Sequence, residues 1–266
     1  RWGGRLLVTH RRPDGRNERF TADEPAARVR LDTTRADLTL GESTVRQRDG
    51  IYHLEGVASG PGGPLRLDLT VRPGPNRYFP PVELRDEAFR SGYVVPALAA
   101  EASGRICIRG KCSEVGGAPA YHDHNWGVWR AVTWEWGAGT GRGLSLLYGG
   151  VYAPDRTTSP FFLTLVDSLG VRRVLRFRRI DYAGAQPADG VPGVSAPERF
   201  TLVGTWERDT LTLQVRVAHA LATDMSAGAF RRTFLQMRGA FTLRGRLSGA
   251  VVQDEGQGFF ETYLTR

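Results

Sequence analysis

The chain has 266 residues, 41% apolar and 24% charged, proportions that exclude a disordered chain and allow one large core or two ordinary ones. Its net charge is +8, yet Lys111 is the only lysine among 36 basic residues. An arginine bias of that kind reflects a GC-rich genome better than a binding face, and with no nucleic-acid module in the sequence no nucleic acid is expected as a partner; on charge alone an anionic membrane surface stays open.

From the N-terminus onward the apolar residues recur with period two. RLLVTH (5–10), ARVRLDT (27–33), ADLTLGES (36–43), YHLEGVA (52–58) and LRLDLTV (65–71) all alternate apolar with polar. Turn clusters such as SGPGGP and RPGPN separate them. YVVPALAA (93–100), the longest nearly uncharged apolar run, is far too short to span a bilayer, and a single helical turn is expected around 95–101. RICIRGKC follows, in which Ile-Arg-Gly-Lys reads as a four-residue turn that sets Cys107 opposite Cys112, as free thiols or as a cross-strand disulfide. Beyond residue 137, GAGTGRG (137–143) reads as a mobile hairpin loop; it precedes no helix, so no phosphate loop is expected. Then LSLLYGGVY (144–152), FFLTLVD (161–167), RFTLVGTWE (199–207), LTLQVRV (211–217) and FTLRGRL (241–247) alternate again, and the run VRRVLRFRRID (171–181) places arginines on both strand faces. Short, evenly spaced strands with Gly/Pro turns predict an all-β antiparallel barrel or sandwich.

A weak repeat refines this. Leu54 and Gly56 correspond to Leu202 and Gly204, and Leu65 and Leu67 to Leu211 and Leu213, about half a chain later. Two similar barrels in tandem are expected, 1–128 and 129–266. The junction falls on AYHDHNWGVWRAVTWEWG (120–137), which holds four of the six tryptophans. Ligand sites favour such junctions and barrel mouths.

If 120–127 is a strand, Tyr121, Asp123 and Asn125 share one face, and His122, His124 and Trp126 the other. The first face makes an acid site. An aspartate among aromatic rings loses hydration, its neutral form is favoured, and it can donate a proton to an alkene, carbonyl or leaving group. Tyr121 and Asn125 would orient it, while Trp126, Trp129, Trp134 and Trp136 would wall the substrate and face a developing cation. The competing reading is a buried Asp123 that merely fastens a turn. The histidine face suggests a metal, with Cys107 and Cys112 upstream, but C-x4-C-x9-H-x-H is not a zinc spacing, so no metal is expected. Tyr148, Tyr152 and Asp155 in LLYGGVYAPD could line the second barrel or lie in its core.

With the all-β tandem and YHDHNWG followed by Trp-Glu-Trp-Gly together, the chain resembles the carotenoid 1,2-hydratase (hydroxyneurosporene synthase) and AttH-like superfamily, to which kievitone hydratase and the lipocalin-like Diels–Alderases are similar. The resemblance covers most of the chain. It implies two tandem lipocalin-like (calycin) barrels, a hydrophobic isoprenoid- or polyketide-like substrate held between them, and hydration, cyclisation or cycloaddition with no cofactor. Tyr121, Asp123, Asn125 and Gly127 fit the family's Y-x-D-x-N-x-G, which favours the acid face; by resemblance Asp123 is the catalytic proton donor, with Tyr121 and Asn125 as its partners. His122, His124, Trp126, Trp129, Trp134, Trp136, Tyr148 and Tyr152 are the expected substrate-binding set. So are Asn76 and Tyr78 in NRYFPP (76–81), which stand where the family carries a histidine and a tryptophan. The expected activity is a hydro-lyase, or an intramolecular cyclase or isomerase, with a pericyclic catalyst and a non-catalytic lipid or pigment carrier as alternatives. The chain opens on Arg1, so a native N-terminus is expected to precede it. With a signal or anchor there, the location is periplasmic or envelope-associated; without one, it is cytoplasmic.

Overall fold

The computed structural model describes residues 3–265 apart from 33, 86–88, 130–132, 153–160 and 227–231; the side chains at 84, 89, 128, 129 and 265 also lie outside the described set. Among the described residues the only helical turn is the 3-10 turn Ala26–Arg28. The first ten strands are β1 (Gly3–Arg11), β2 (Asn17–Pro25), β3 (Val29–Leu31), β4 (Asp37–Leu40), β5 (Ser43–Arg48), β6 (Ile51–Gly60), β7 (Gly63–Pro73), β8 (Phe79–Arg85), β9 (Phe89–Ile108) and β10 (Lys111–Trp129). They form one curled sheet in the order β10-β9-β7-β6-β5-β4-β3, with the β1–β2 hairpin joined to β6 and β8 joined to β9.

The second set begins with β11 (Thr133–Gly141), β12 (Ser145–Tyr152), β13 (Phe161–Asp167), β14 (Gly170–Phe177) and β15 (Ile180–Ala183). After the short pair β16 (Gln186–Pro187) and β17 (Ser195–Ala196) come β18 (Arg199–Trp206), β19 (Asp209–Asp224), β20 (Arg232–Leu247) and β21 (Ala250–Thr265). Their order β14-β13-β12-β11-β21-β20-β19-β18 is closed by a β14–β18 pairing, so eight antiparallel strands make a barrel, and β15 adds to β18. The all-β, lipocalin-like architecture read from the sequence is therefore present, as a closed barrel and a half-barrel sheet.

Alternation sets what fills the barrel. Leu211, Leu213, Val215 and Val217 point inward from β19; Leu213 pairs with Leu202 and Leu243, and Val215 with Phe200 and Phe241. The interior is filled around Tyr148, Phe200 and Phe260 by Leu146, Leu163 and Leu165 among others. Burying each large ring is worth about 2–3 kcal/mol. The half-chain repeat reappears in the pairing: Gly56 lies opposite Leu67 and Gly204 opposite Leu211. The second hairpin turns two residues sooner, and because two is the side-chain period, its glycine still faces the core.

Two expectations are corrected. Residues 95–101 are not a helical turn but part of β9: Val95 pairs with Phe79, and the Leu98 N–H donates to the Arg77 carbonyl at 2.8 Å. Sheet pairing outweighs the weak helical preference of Pro-Ala-Leu-Ala. GAGTGRG is not a loop over most of its length, since Gly137–Gly141 belong to β11 and only Arg142–Leu144 turn. A Cβ on Gly137 would lie 2.3 Å from the Tyr148 ring, and one on Gly139 2.7 Å from the Phe241 ring. The glycines make room for the core aromatics of the barrel.

By contacts the chain groups as Arg1–Gly74 with Ala100–Ala120, and Pro75–Ala99 with Tyr121–Arg266. The sheets change near residue 129, but 75–99 and 121–128 pack with the C-terminal barrel. Phe79, Tyr93, Val95 and Leu98 lie over the outer surface of that barrel, against Trp136, Ala138, Leu147 and Val166. Hence β11 is buried on both faces, which explains its near-continuous burial. In the N-terminal unit Cys107 and Cys112 are disulfide-bonded across the hairpin. The turn is Arg109–Gly110, both at positive φ (53° and 80°), as a two-residue hairpin requires.

Candidate active site

β10 enters the C-terminal unit at Tyr121. Tyr121 and Asp123, two apart on the strand, meet one wall: the outer face of β11, β21 and β20. The Trp136 indole N–H donates to the Tyr121 hydroxyl at 2.8 Å, and that hydroxyl donates to Asp123 Oδ2 at 3.0 Å. An indole that can only donate thus fixes the direction of the chain, Trp136 to Tyr121 to Asp123. Phe259 lies beside Tyr121, with ring centres 6.4 Å apart. Trp136 makes edge contacts with Tyr93 and Phe162, whose ring centres lie 5.0 and 6.2 Å away.

Glu261 is the register partner of Trp136 on one side and of Gln236 on the other. Its carboxyl accepts the Trp134 indole N–H at 3.0 Å and the Gln236 amide N–H at 3.3 Å. Trp134 in turn stands edge-on to Tyr263 and tilted against Phe234. Burial among these rings pushes the Glu261 carboxyl up to about 7; its two N–H donors oppose that, and the nearby Asp123 adds to it. Burial also raises the Tyr121 hydroxyl well above its usual range, with Asp123 contributing, so Tyr121 stays a donor. The wall therefore carries two carboxyl groups, a phenol and two indole donors among aromatic rings, which is equipment for moving a proton on an apolar substrate.

On the opposite face of β11 lies a third acid. Glu135 is 6% exposed inside the barrel, where its oxygens accept the Tyr182 hydroxyl at 2.6 Å and the Thr262 hydroxyl at 2.8 Å. Tyr182 leaves 38% of its surface in solvent while its hydroxyl reaches inside. Burial raises Glu135 to about 7, the two hydroxyls opposing. The fully buried Tyr148 hydroxyl beside it has no hydrogen-bond partner among the described residues.

Of the residues picked out from sequence, the structure brings Tyr121, Asp123, Trp134 and Trp136 to the wall. Asn125 is solvent-exposed. His122 is half-buried on the other face of β10, and burial lowers its proton affinity. His124 stacks on Trp126, whose N–H donates to Glu83 at 3.3 Å. Asn76 is a turn residue at φ 56° whose amide donates to the Ser168 carbonyl, and Tyr78 is 53% exposed. Between them Arg77 is the anchored residue of that motif, donating to Ser145 Oγ at 2.8 Å. Tyr148 is in the barrel core and Tyr152 packs edge-on to Phe161, so neither reaches the wall. The Trp129 side chain and Asp155 lie outside the described residues. With both sulfurs of the Cys107–Cys112 disulfide used, neither is a thiolate ligand. Elsewhere on the outer barrel face a groove of about 850 Å³ is bordered by Arg142, Arg199, Arg216 and Arg244 together with Glu255, a charged border unlike the aromatic wall. Sequence inspection missed Glu261 and Gln236; one available signal was the polar residue at 261 among Phe259, Phe260 and Tyr263.

No protein-family model matches the chain, and no curated protein does. Solved structures do share its fold. One assigned to AttH from Nitrosomonas europaea superposes with a TM-score of 0.61 at 18% identity, over 94% of this chain and 76% of that one. Kievitone hydratase from Nectria haematococca gives 0.57 at 14% identity, with coverages of 94% and 76%. CghA crystallised with Sch210972 gives 0.58 at 12% identity, over 99% of this chain and 85% of that one. These are the kinds of protein to which the sequence pointed, and at such identities the likeness is one of fold.

Proposed function

We propose that this protein is a cofactor-independent hydratase or cyclase acting on an extended hydrophobic substrate, isoprenoid- or polyketide-like, laid against the outer wall of the C-terminal barrel. The observation that carries the reading is the directed chain from Trp136 through Tyr121 to Asp123, beside an aromatic surface. A flat apolar wall binds a polyene and faces the cation that forms when a double bond takes a proton. In hydration, water captures that cation; in cyclisation, water is excluded and an internal alkene or hydroxyl captures it. The fold shared with a hydratase and with CghA supports this class of chemistry.

Asp123 is the carboxyl at the centre of the proposal, with Tyr121 as its oriented partner. Acid–base assistance of this kind is worth about 10²–10⁴-fold. Asp123→Asn should therefore fold normally by circular dichroism and lose that factor in turnover of an acyclic polyisoprenoid, assayed by mass spectrometry of the products. A near-wild-type rate would refute the role. A pericyclic catalyst would show the reverse pattern, tolerating Asp123→Asn but not loss of the Trp134 or Trp136 ring.

A further inference from the structure

Two carboxyl groups face the same wall, and their environments differ. Glu261 stands in the middle of three strands, between Trp136 and Gln236 in register, with Tyr263 and Phe234 around the Trp134 indole that holds it. No cation pairs with it among the described residues. Both of its recorded partners donate: the Trp134 indole N–H can do nothing else, and the Gln236 amide presents its N–H. Neither therefore takes up a proton that Glu261 carries, and that proton is available to a molecule lying on the wall. Asp123 stands at the end of the Tyr121 chain, where it accepts that hydroxyl. The two acids are close enough for their charges to repel, so ionising both at once is costly, and enclosure among the rings favours the protonated form of Glu261.

We propose that Glu261 is the proton donor of this site and that Asp123, with Tyr121, is the receiving base. The proposal rests on the reading of the wall as a proton-transfer site and divides the labour within it. The carboxylic O–H of Glu261 breaks as a C–H bond forms at one alkene carbon, leaving a carbocation and the Glu261 carboxylate. The oxygen of water, or of a substrate hydroxyl, bonds to the cation and releases its own proton to Asp123. Return of that proton to Glu261, through solvent, restores the starting state; the net change is addition of H–OH or H–OR across the double bond. Asp123 keeps the central place that the sequence gives it, in the receiving role. The buried proton affinity of Glu261, up to about 7, leaves the donor form populated near neutral pH.

Infrared titration of the protein alone from pH 5 to 9 tests the donor state without a substrate. Wild type should show a protonated-carboxyl C=O stretch that fades as pH rises through about 7. Glu135, whose proton affinity is also raised to about 7, adds to that band, so Glu135→Gln serves as the background: the band that remains there should vanish when Glu261→Gln is added. Trp134→Phe, which deletes a donor that favours the carboxylate, should move its midpoint upward. An undiminished band when Glu261→Gln is added to the Glu135→Gln background would overturn the inference. Turnover in D2O of an acyclic polyisoprenoid alkene gives the second readout. Wild type should place deuterium on carbon and slow above pH 7, and Glu261→Gln should lose about 10²–10⁴-fold together with that alkaline limb. An unchanged rate and pH profile in Glu261→Gln, alongside a crippled Asp123→Asn, would sink the donor assignment and leave the proposed function standing. No deuterium incorporation by wild type would overturn both.

Discussion

Glu135 makes the stability of the barrel pH-dependent, and Glu135→Gln isolates the effect. Folding encloses this carboxyl with only the Tyr182 and Thr262 hydroxyls for company and raises its proton affinity from the usual 4.5 to about 7. The folded state therefore holds the proton more tightly than the unfolded chain. The stability this contributes is fully present below pH 4.5 and is lost as pH rises through about 7, because the unfolded chain ionises over that window and the folded one does not. A change of that size corresponds to about 3 kcal/mol. Glutamine keeps the shape and a hydrogen-bonding amide but cannot ionise, so any constant cost of the altered hydrogen bonds shifts its curve without tilting it. Urea unfolding at half-unit steps from pH 4.5 to 8 should show wild-type stability falling relative to the variant, by about 3 kcal/mol across the window. Glu261 titrates in both proteins and cancels in the difference. Parallel curves would refute the reasoning, for Glu135 would then be hydrated, or paired with something that pays for its charge.

Three further outcomes follow from the packing. Gly137→Ala places a methyl 2.3 Å from the Tyr148 ring; overpacking there should cost about 1–3 kcal/mol in urea unfolding, with the far-ultraviolet spectrum unchanged. Replacing both Cys107 and Cys112 by serine opens a six-residue loop, which should lower the stability of the N-terminal unit by about 2 kcal/mol. The same loss should appear when wild type is unfolded in the presence of a reductant. Trp136→Phe keeps the ring contacts with Tyr93 and Phe162 but removes the donor to Tyr121. It should cost about 1 kcal/mol of stability, and in turnover it should lower kcat more than it raises KM.

The sequence by itself determined the strands, because a period of two needs no partner to be visible: Leu211, Leu213, Val215 and Val217 announce an inward face before any neighbour is known. It determined the hairpin that joins Cys107 to Cys112, since Arg109–Gly110 is a local turn with local consequences. It also showed that Tyr121 and Asp123 share a face, which is again parity along one strand. Only the tertiary structure decided that this face meets Trp136, fifteen residues on in another sheet. It decided as well that Gly137 and Gly139 belong to a strand, because the rings that require their small size, Tyr148 and Phe241, arrive on other strands. Glu261 shows the limit most clearly. In ETYLTR it reads as an ordinary charge near a chain end, and it becomes a buried acid because closure of the barrel puts β21 next to β11, 127 residues from Trp134. Periodicity is a property of one strand; register, closure and the loss of water around a carboxyl are properties of several strands at once, and those decided the chemistry of the wall.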